Sequence, residues 1–499
     1  MEVIEEGAFK ISGLTSVSIP DKVTGINLSA FSGSEVADVT FGKGLTSIGD
    51  KAFVETNITN LNIPDNVTNL GDSVFSSCAN LTELTIGKGL TTISEGAFSS
   101  TGLTELVVPE NITLIGKAAF SNCENLNDLT IKGTGVNIGA YAFAGCPLKN
   151  YDFNSNINVI GVRAFSGAEI ESLVVSPTVT EITYNSFGGC KNLSSIEIPD
   201  TVLKIDGRAF DGTKWYNEQP NGEVYLDQIF YGYKGSKPAN TKVELKDGTV
   251  TIAENAFEDS DITGITLPEG LKGIGRFVFN ECKNITEIYI PSTVEYIGEC
   301  AFTKCSSLTE INVSPDNKYF TSVDGVLYNK DKTELIYCPR QSTDVFTVPE
   351  TVKRIKTLAF DSSNVSHVII TSPDTVLEDY SVGYSLSQRT LINKILSVHK
   401  NNVLISCPAD SYAEEYANKM YLEVLLTTPS VSTLIGDATG DNMINIADAT
   451  LVQMQVAKLN SGSIITSNAD VNKDGYISIK DATAIQMYVA KYISSFDEV

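Results

Sequence analysis

The chain has 499 residues, 42% hydrophobic and 19% charged, a composition typical of folded proteins. Its length exceeds one ordinary core, so several domains or an extended repeat array are expected. A formal net charge of −25 argues against nucleic acid and anionic membrane surfaces as partners. No apolar run reaches the roughly 20 residues that cross a bilayer, so no membrane insertion is expected.

The first residues, MEVIEEGAFK, have neither a basic n-region nor an apolar h-region, so no signal peptide is visible. They open inside a repeat, and a leader and an N-terminal cap are expected to have preceded them. Phe9, Phe31, Phe53, Phe75, Phe98, Phe120, Phe143, Phe165, Phe187 and Phe210 follow at intervals of 22 or 23. The series resumes at Phe257, Phe279 and Phe302, and again at Phe360. In the unit Leu81–Phe98, LTELTI alternates apolar and polar residues and is predicted to be a short strand with one buried face. Pro-Asp or Pro-Glu punctuation follows in many units, and a second apolar pair, such as Leu90 and Ile93, leads back to Ala-Phe. A unit this small cannot bury its own face, so neighbours must stack into a solenoid. Cys78, Cys123, Cys146, Cys190, Cys282 and Cys305 each lie three residues after such a Phe. A fixed repeat position predicts a ladder of small buried side chains, not zinc ligands, disulfides or redox centres.

Two stretches interrupt the period. Trp215–Gly235 and Asn317–Pro339 are predicted to be hairpins, with Asn221-Gly222 and Asp324-Gly325 as their turns. Trp215, Tyr216, Tyr225, Phe230, Tyr231 and Tyr233 form either a sugar-stacking platform or, the favoured reading, a satellite core beneath the hairpin. Residues 361–426 depart from the repeat and end in an expected amphipathic helix and strand that cap the solenoid. Residues 427–435 are a short polar linker.

The pattern carried by Pro291, Val294, Ile297, Gly298, Ala301, Phe302, Cys305, Leu308, Ile311 and Val313 resembles the BspA-like class of leucine-rich repeats, over about 1–426. The resemblance implies a mainly β, right-handed solenoid from secreted or surface proteins, often bacterial, used for adhesion or protein binding. On its strands Asp38, Glu83, Glu105, Asp128, Glu287 and Glu310 occupy an outward position. Such an acidic stripe could receive a basic partner, or it solvates the strands and discourages edge association. Catalysis has little support: there are two histidines and no recognisable nucleophile or metalloprotease motif. A glycosidase-type carboxylate pair is not excluded, because 61 acidic residues offer many pairs.

Residues 437–459 and 470–492 are identical at 12 of 23 positions. Asp470, Asn472, Asp474, the Tyr476 carbonyl, Ser478 and Asp481 match a calcium loop, with Gly475 at the sharp turn. The first copy offers Asp437, Thr439, Asp441, the Met443 carbonyl, Asn445 and Asp448, with Asn442 in place of the glycine. Two Ca²⁺ sites are therefore expected, the second the stronger. Each loop leads into one helix, predicted over 448–459 and 481–492. This small α-helical loop-helix duplication over 436–499 resembles a type I dockerin. That resemblance implies a scaffoldin cohesin module as partner and a cellulosome as setting. It assigns cohesin contacts to Ile446, Ala447, Gln453, Met454 and Lys458, and to Ile479, Lys480, Gln486, Met487 and Lys491. Ile446 and Ile479 also read as core residues. The expected protein is non-catalytic, secreted or on the cell surface, docked by calcium, with a protein or glycan partner at the solenoid. The alternatives are an adhesin outside a cellulosome and, less favoured, a polysaccharide-active enzyme.

Overall fold

A computed structural model of the protein describes residues 2–149, 151, 153, 157–341, 343–382, 384–390, 395–400, 403–427, 435–439, 443–457, 466–473 and 476–491. The chain divides into two compact units, the first spanning mainly 1–341 and the second mainly 364–384 and 398–499. In the first unit each repeat supplies two short strands, and each strand pairs in parallel with its counterpart one repeat away. Glu105–Val108 pairs with Asp128–Ile131, placing Glu105 opposite Asp128. A second ladder runs through Thr92–Ile93, Leu114–Ile115, Val136–Ile138, Ile157–Ile160, Glu181–Ile182 and Lys204–Ile205.

Behind these strands the Ala-Phe segments form the spine. From Phe9 to Phe210, successive ring centroids lie 4.9–5.7 Å apart with nearly parallel planes. From Phe9 to Phe187 each Phe amide donates to the carbonyl of the residue preceding the next Phe, as in Phe98 to Ala119 at 2.8 Å. The glycine of the Ile-Gly pair is required by close approach of the next turn. A Cβ at Gly298 would lie 2.4 Å from the Arg276 amide nitrogen.

The six periodic cysteines are buried and free. Each thiol donates to the Phe carbonyl one repeat back, Cys78 to Phe53 at 3.2 Å and Cys282 to Phe257 at 3.1 Å among them. Thr56 and Thr101 occupy the same position in other repeats and bond their own Phe carbonyls. The ladder is therefore one of small side chains with a single polar atom, which serves a carbonyl that no strand can reach.

The first interruption differs from the sequence expectation. Its strands are Gly222–Leu226 and Ile229–Lys234, so the turn is Asp227-Gln228, and Asn221-Gly222 lies at the mouth of the hairpin. Asp227 takes the left-handed conformation there. Pairing Leu226 with Ile229 keeps the apolar residues of both strands on the core, and that burial overrides the local Asn-Gly preference. Lys214–Glu218 adds a short helix capped by Thr213. The second interruption turns at Asp324-Gly325 as expected. It continues into a third antiparallel strand, giving Phe320–Val323, Val326–Asn329 and Glu334–Tyr337.

In the second unit, Val345–Val348, His367–Ile370, Leu404–Pro408 and Glu423–Thr427 continue a parallel ladder. The stretch after 361 thus leaves the sequence repeat while keeping the strand geometry. The expected helix is Tyr412–Lys419, capped by Ser411, and the strand after it runs to Thr427. The C-terminal module has two long helices, Ile446–Val456 and Ile479–Val489, packed through Ala449, Val452, Ala482 and Ile485, and a single turn of helix at Thr466–Ala469. Both helices start two residues earlier than predicted.

Two outcomes test this packing. Phe120→Ala removes a wholly buried ring and should cost about 3–5 kcal/mol in chemical denaturation; a loss under about 1 kcal/mol would contradict a continuous spine. Burial pushes the Cys190 and Cys282 thiols up to about 12. At pH 8 both should resist iodoacetamide in the native protein and react after denaturation, and equal labelling by mass spectrometry would contradict the ladder.

Candidate docking and calcium module

The start of each C-terminal helix is fixed by the last residue of the loop before it. Asn445 and Ser478 cap the helices, and Asp448 and Asp481 complete capping boxes. Both aspartates are wholly buried. Asp448 accepts from the Thr439 amide (2.9 Å) and hydroxyl (2.8 Å) on one oxygen, and from the Asn445 amide (2.8 Å) on the other. Asp481 accepts from the Val471 (3.1 Å) and Asn472 (3.4 Å) amides on one oxygen, and from the Ser478 amide and hydroxyl on the other. One carboxylate per loop thus ties loop entry to helix start. Sequence reasoning took Asn445 and Ser478 as metal ligands; the spacing Asn/Ser-x-x-Asp is also a capping-box signal.

Asp437 is buried as well, and the Thr439 hydroxyl donates to it at 3.2 Å. The two loops meet at their entries, where the Gly436 amide donates to the Asn468 carbonyl and the Asn468 amide to the Asp437 carbonyl. Asp470 and Asn472 are half-buried beside this junction, and Met443 and Tyr476 turn their side chains outward. Asp441, Asp474 and Gly475 lie outside the described residues, and the described residues alone bring no three acidic, His or Cys side chains into one metal-sized cluster. The chemistry of the donor set nevertheless fits a cation. Asp448 and Asp481 are fully buried carboxylates with no ion-pair partner among the described residues, and buried charge requires compensation.

Some of the duplicated positions are exposed in both copies. Ile446 and Ile479 are 58% and 55% exposed, which removes the core reading for both. Each sits on the first turn of its helix, because the helices begin at these residues. Ala447, Lys480, Met454 and Lys491 are exposed, and Gln453, Gln486 and Met487 are half-buried. Lys458 lies outside the described residues. Val456 and Val489, a further exposed pair that sequence reasoning did not single out, are 40% and 36% exposed.

On the repeats, Asp38, Glu83, Glu105, Asp128, Glu287 and Glu310 are all exposed. Glu105 stands opposite Asp128 and Glu287 opposite Glu310. Between these groups the same strand position holds Ser172, Ser195, Lys242 and Gly264, so the acidic stripe is two separate segments. Exposed apolar residues, Val107 and Tyr289, stand beside these two segments. In the first insertion Phe230 and Tyr231 are buried, and Trp215 and Tyr216 pack against the core, which makes the aromatic cluster largely structural.

The family described as BspA type leucine rich repeat region matches residues 2–127, 115–218 and 230–345, in six copies. This is about two thirds of the chain. The chain belongs to the BspA-type leucine-rich repeat family. A type I dockerin domain matches residues 435–490. Among solved structures, a leucine-rich repeat protein from Bacteroides ovatus is 20% identical, covering 63% of this chain and 82% of its own, with a TM-score of 0.40. The pneumococcal vaccine antigen PcpA is 16% identical, over 86% of this chain and 85% of its own, at 0.28. A leucine-rich cell-surface protein from Faecalibacterium prausnitzii is 19% identical, over 77% and 83%, at 0.20. None of the curated proteins matches the chain.

Leucine-rich repeats and dockerins are non-enzymatic domain types, and a type I dockerin implies calcium and a cohesin partner. Among the described residues no helix is long and apolar enough to cross a membrane. Asp481→Ala leaves the Val471, Asn472 and Ser478 amides without their acceptor, at about 1–3 kcal/mol for each buried donor. Hydrogen exchange at Val471 and Ser478 should accelerate at least tenfold; unchanged exchange would show that the carboxylate does not close the loop.

Proposed function

We propose that the protein is a secreted bacterial binding protein whose dockerin plugs it into a scaffoldin cohesin, in a calcium-dependent manner. In this reading residues 1–426 form the binding body, 427–435 the linker and 436–499 the plug. The repeats engage a protein or glycan, at an outer strand surface that includes the acidic segments. The observation that carries the reading is the pair of matched surfaces on the two dockerin helices. Ile446 and Ile479 are exposed isoleucines at equivalent positions, and side chains placed outward twice over serve a partner better than a core.

Asp437, Thr439, Asp441, the Met443 carbonyl, Asn445 and Asp448 would hold one Ca²⁺. Asp470, Asn472, Asp474, the Tyr476 carbonyl, Ser478 and Asp481 would hold the other. The metal would supply the charge that lets these carboxylates crowd together, so its binding also stabilises the helices. Thr439 donates its hydroxyl to two carboxylates and is a neutral oxygen where the second loop has Asn472, so the first site should be the weaker.

Capture of the full chain by a panel of cohesins, in calcium and in chelator, tests the reading. At least one cohesin should retain the chain in calcium and release it in chelator; retention by none would overturn it. Changing Met454 and Lys458 to Asp and Glu should leave capture nearly intact, because Met487 and Lys491 offer the equivalent face. Changing both copies should abolish it. Loss from the first pair alone would mean that only one orientation is used.

A further inference from the structure

At ordinary junctions the Phe amide donates to a backbone carbonyl of the next repeat, but Phe210 has no such neighbour. Its amide donates instead to the Tyr231 hydroxyl at 3.0 Å. The ring stack breaks at the same place: Tyr231 lies tilted 6.0 Å from Phe210, and the stack restarts at Phe230 against Phe257. The main chain bridges the gap at Asp206 and Glu254, but at the phenylalanine edge the hairpin fills the missing repeat with side chains, which do not close the seam as a stacked turn would.

What remains is a cavity of about 320 Å³ lined by Arg208, Asp211, Tyr216, Tyr233, Lys237 and Glu258 among others. The volume lies at the lower end of small-molecule sites. Its walls are built. Lys237 is anchored on the Glu258 carbonyl, and Tyr216 packs edge-on against Tyr231, ring centroids 6.0 Å apart. The Tyr233 hydroxyl is buried with no hydrogen-bond partner among the described residues. Asp211 is half-buried beside Arg208, and burial pushes its carboxyl up to about 6 while holding Lys237 below its ordinary range.

The mixed walls choose the ligand. Asp211 and Glu258 disfavour an anion, and Arg208 and Lys237 disfavour a cation. A neutral polyhydroxylated ring offers paired donors and acceptors to both and a C–H face to a tyrosine. The geometry points to this seam cavity as a binding site for a single sugar unit at the end of a glycan. This goes beyond the proposed strand-surface contact and rests on reading the repeats as a binding body.

The test is an array of cello-, xylo-, manno- and galacto-oligosaccharides probed with the full chain. Asp211→Asn keeps side-chain size and Arg208→Gln removes the charge with a polar end retained, and each should weaken binding of the retained glycan at least tenfold. Glu110→Lys, at an exposed turn of an earlier repeat, should leave it unchanged. Absence of any retained sugar would overturn the site, as would retention unaffected by the Asp211 and Arg208 variants. Cohesin capture of the same protein in calcium reads the docking role independently, so failure of the sugar site and failure of the docking reading remain distinguishable.

Discussion

The repeats depend on one constraint: no 22- or 23-residue unit can hide its own apolar face, so every unit is stabilised only by its neighbours. The phenylalanine spine meets that constraint. A ring at each repeat covers the ring before it, its amide bonds forward, and the cysteine or threonine three residues later bonds a Phe carbonyl. Burial, main-chain pairing and side-chain polarity are settled by the same few residues at every step.

Such an array has little tolerance for a missing unit, and the two interruptions show what replaces one. In each, a tyrosine from an antiparallel insertion stands against the last phenylalanine. Tyr231 faces Phe210, and Tyr337 lies 5.7 Å from Phe302 with its hydroxyl donating to the Asp361 carbonyl. A tyrosine supplies both ring area and a polar atom, and so stands in for a phenylalanine and for a backbone group together. The seam left at the first interruption is also where charged side chains line a cavity.

Much of this was legible in the sequence because stacking forces a strict period. Phe9 to Phe210, the cysteine position and the Asp324-Gly325 turn could all be read directly. Tyr231 and Tyr337 could not, since their spacing from the preceding phenylalanine is set by insertions of unequal length. Asn221-Gly222 misled, because a strong local turn preference lost to the burial of Leu226 and Ile229. In the dockerin, ligand spacing hid a second use of the same residues. Asn445, Asp448, Ser478 and Asp481 also begin the helices, and that earlier start turns Ile446 and Ile479 outward.

One chain carries two tasks: repeats held together by their own stacking, and a docking module whose helices hang on two loops of carboxylates. The central claim is that calcium serves the second task alone. Calorimetric unfolding of the full chain with calcium and with chelator, read beside cohesin capture, tests it most directly. Chelation should remove capture and the dockerin transition while the unfolding temperature of the repeats stays where it was. A repeat transition that shifts with the metal, or capture that survives the chelator, would contradict it.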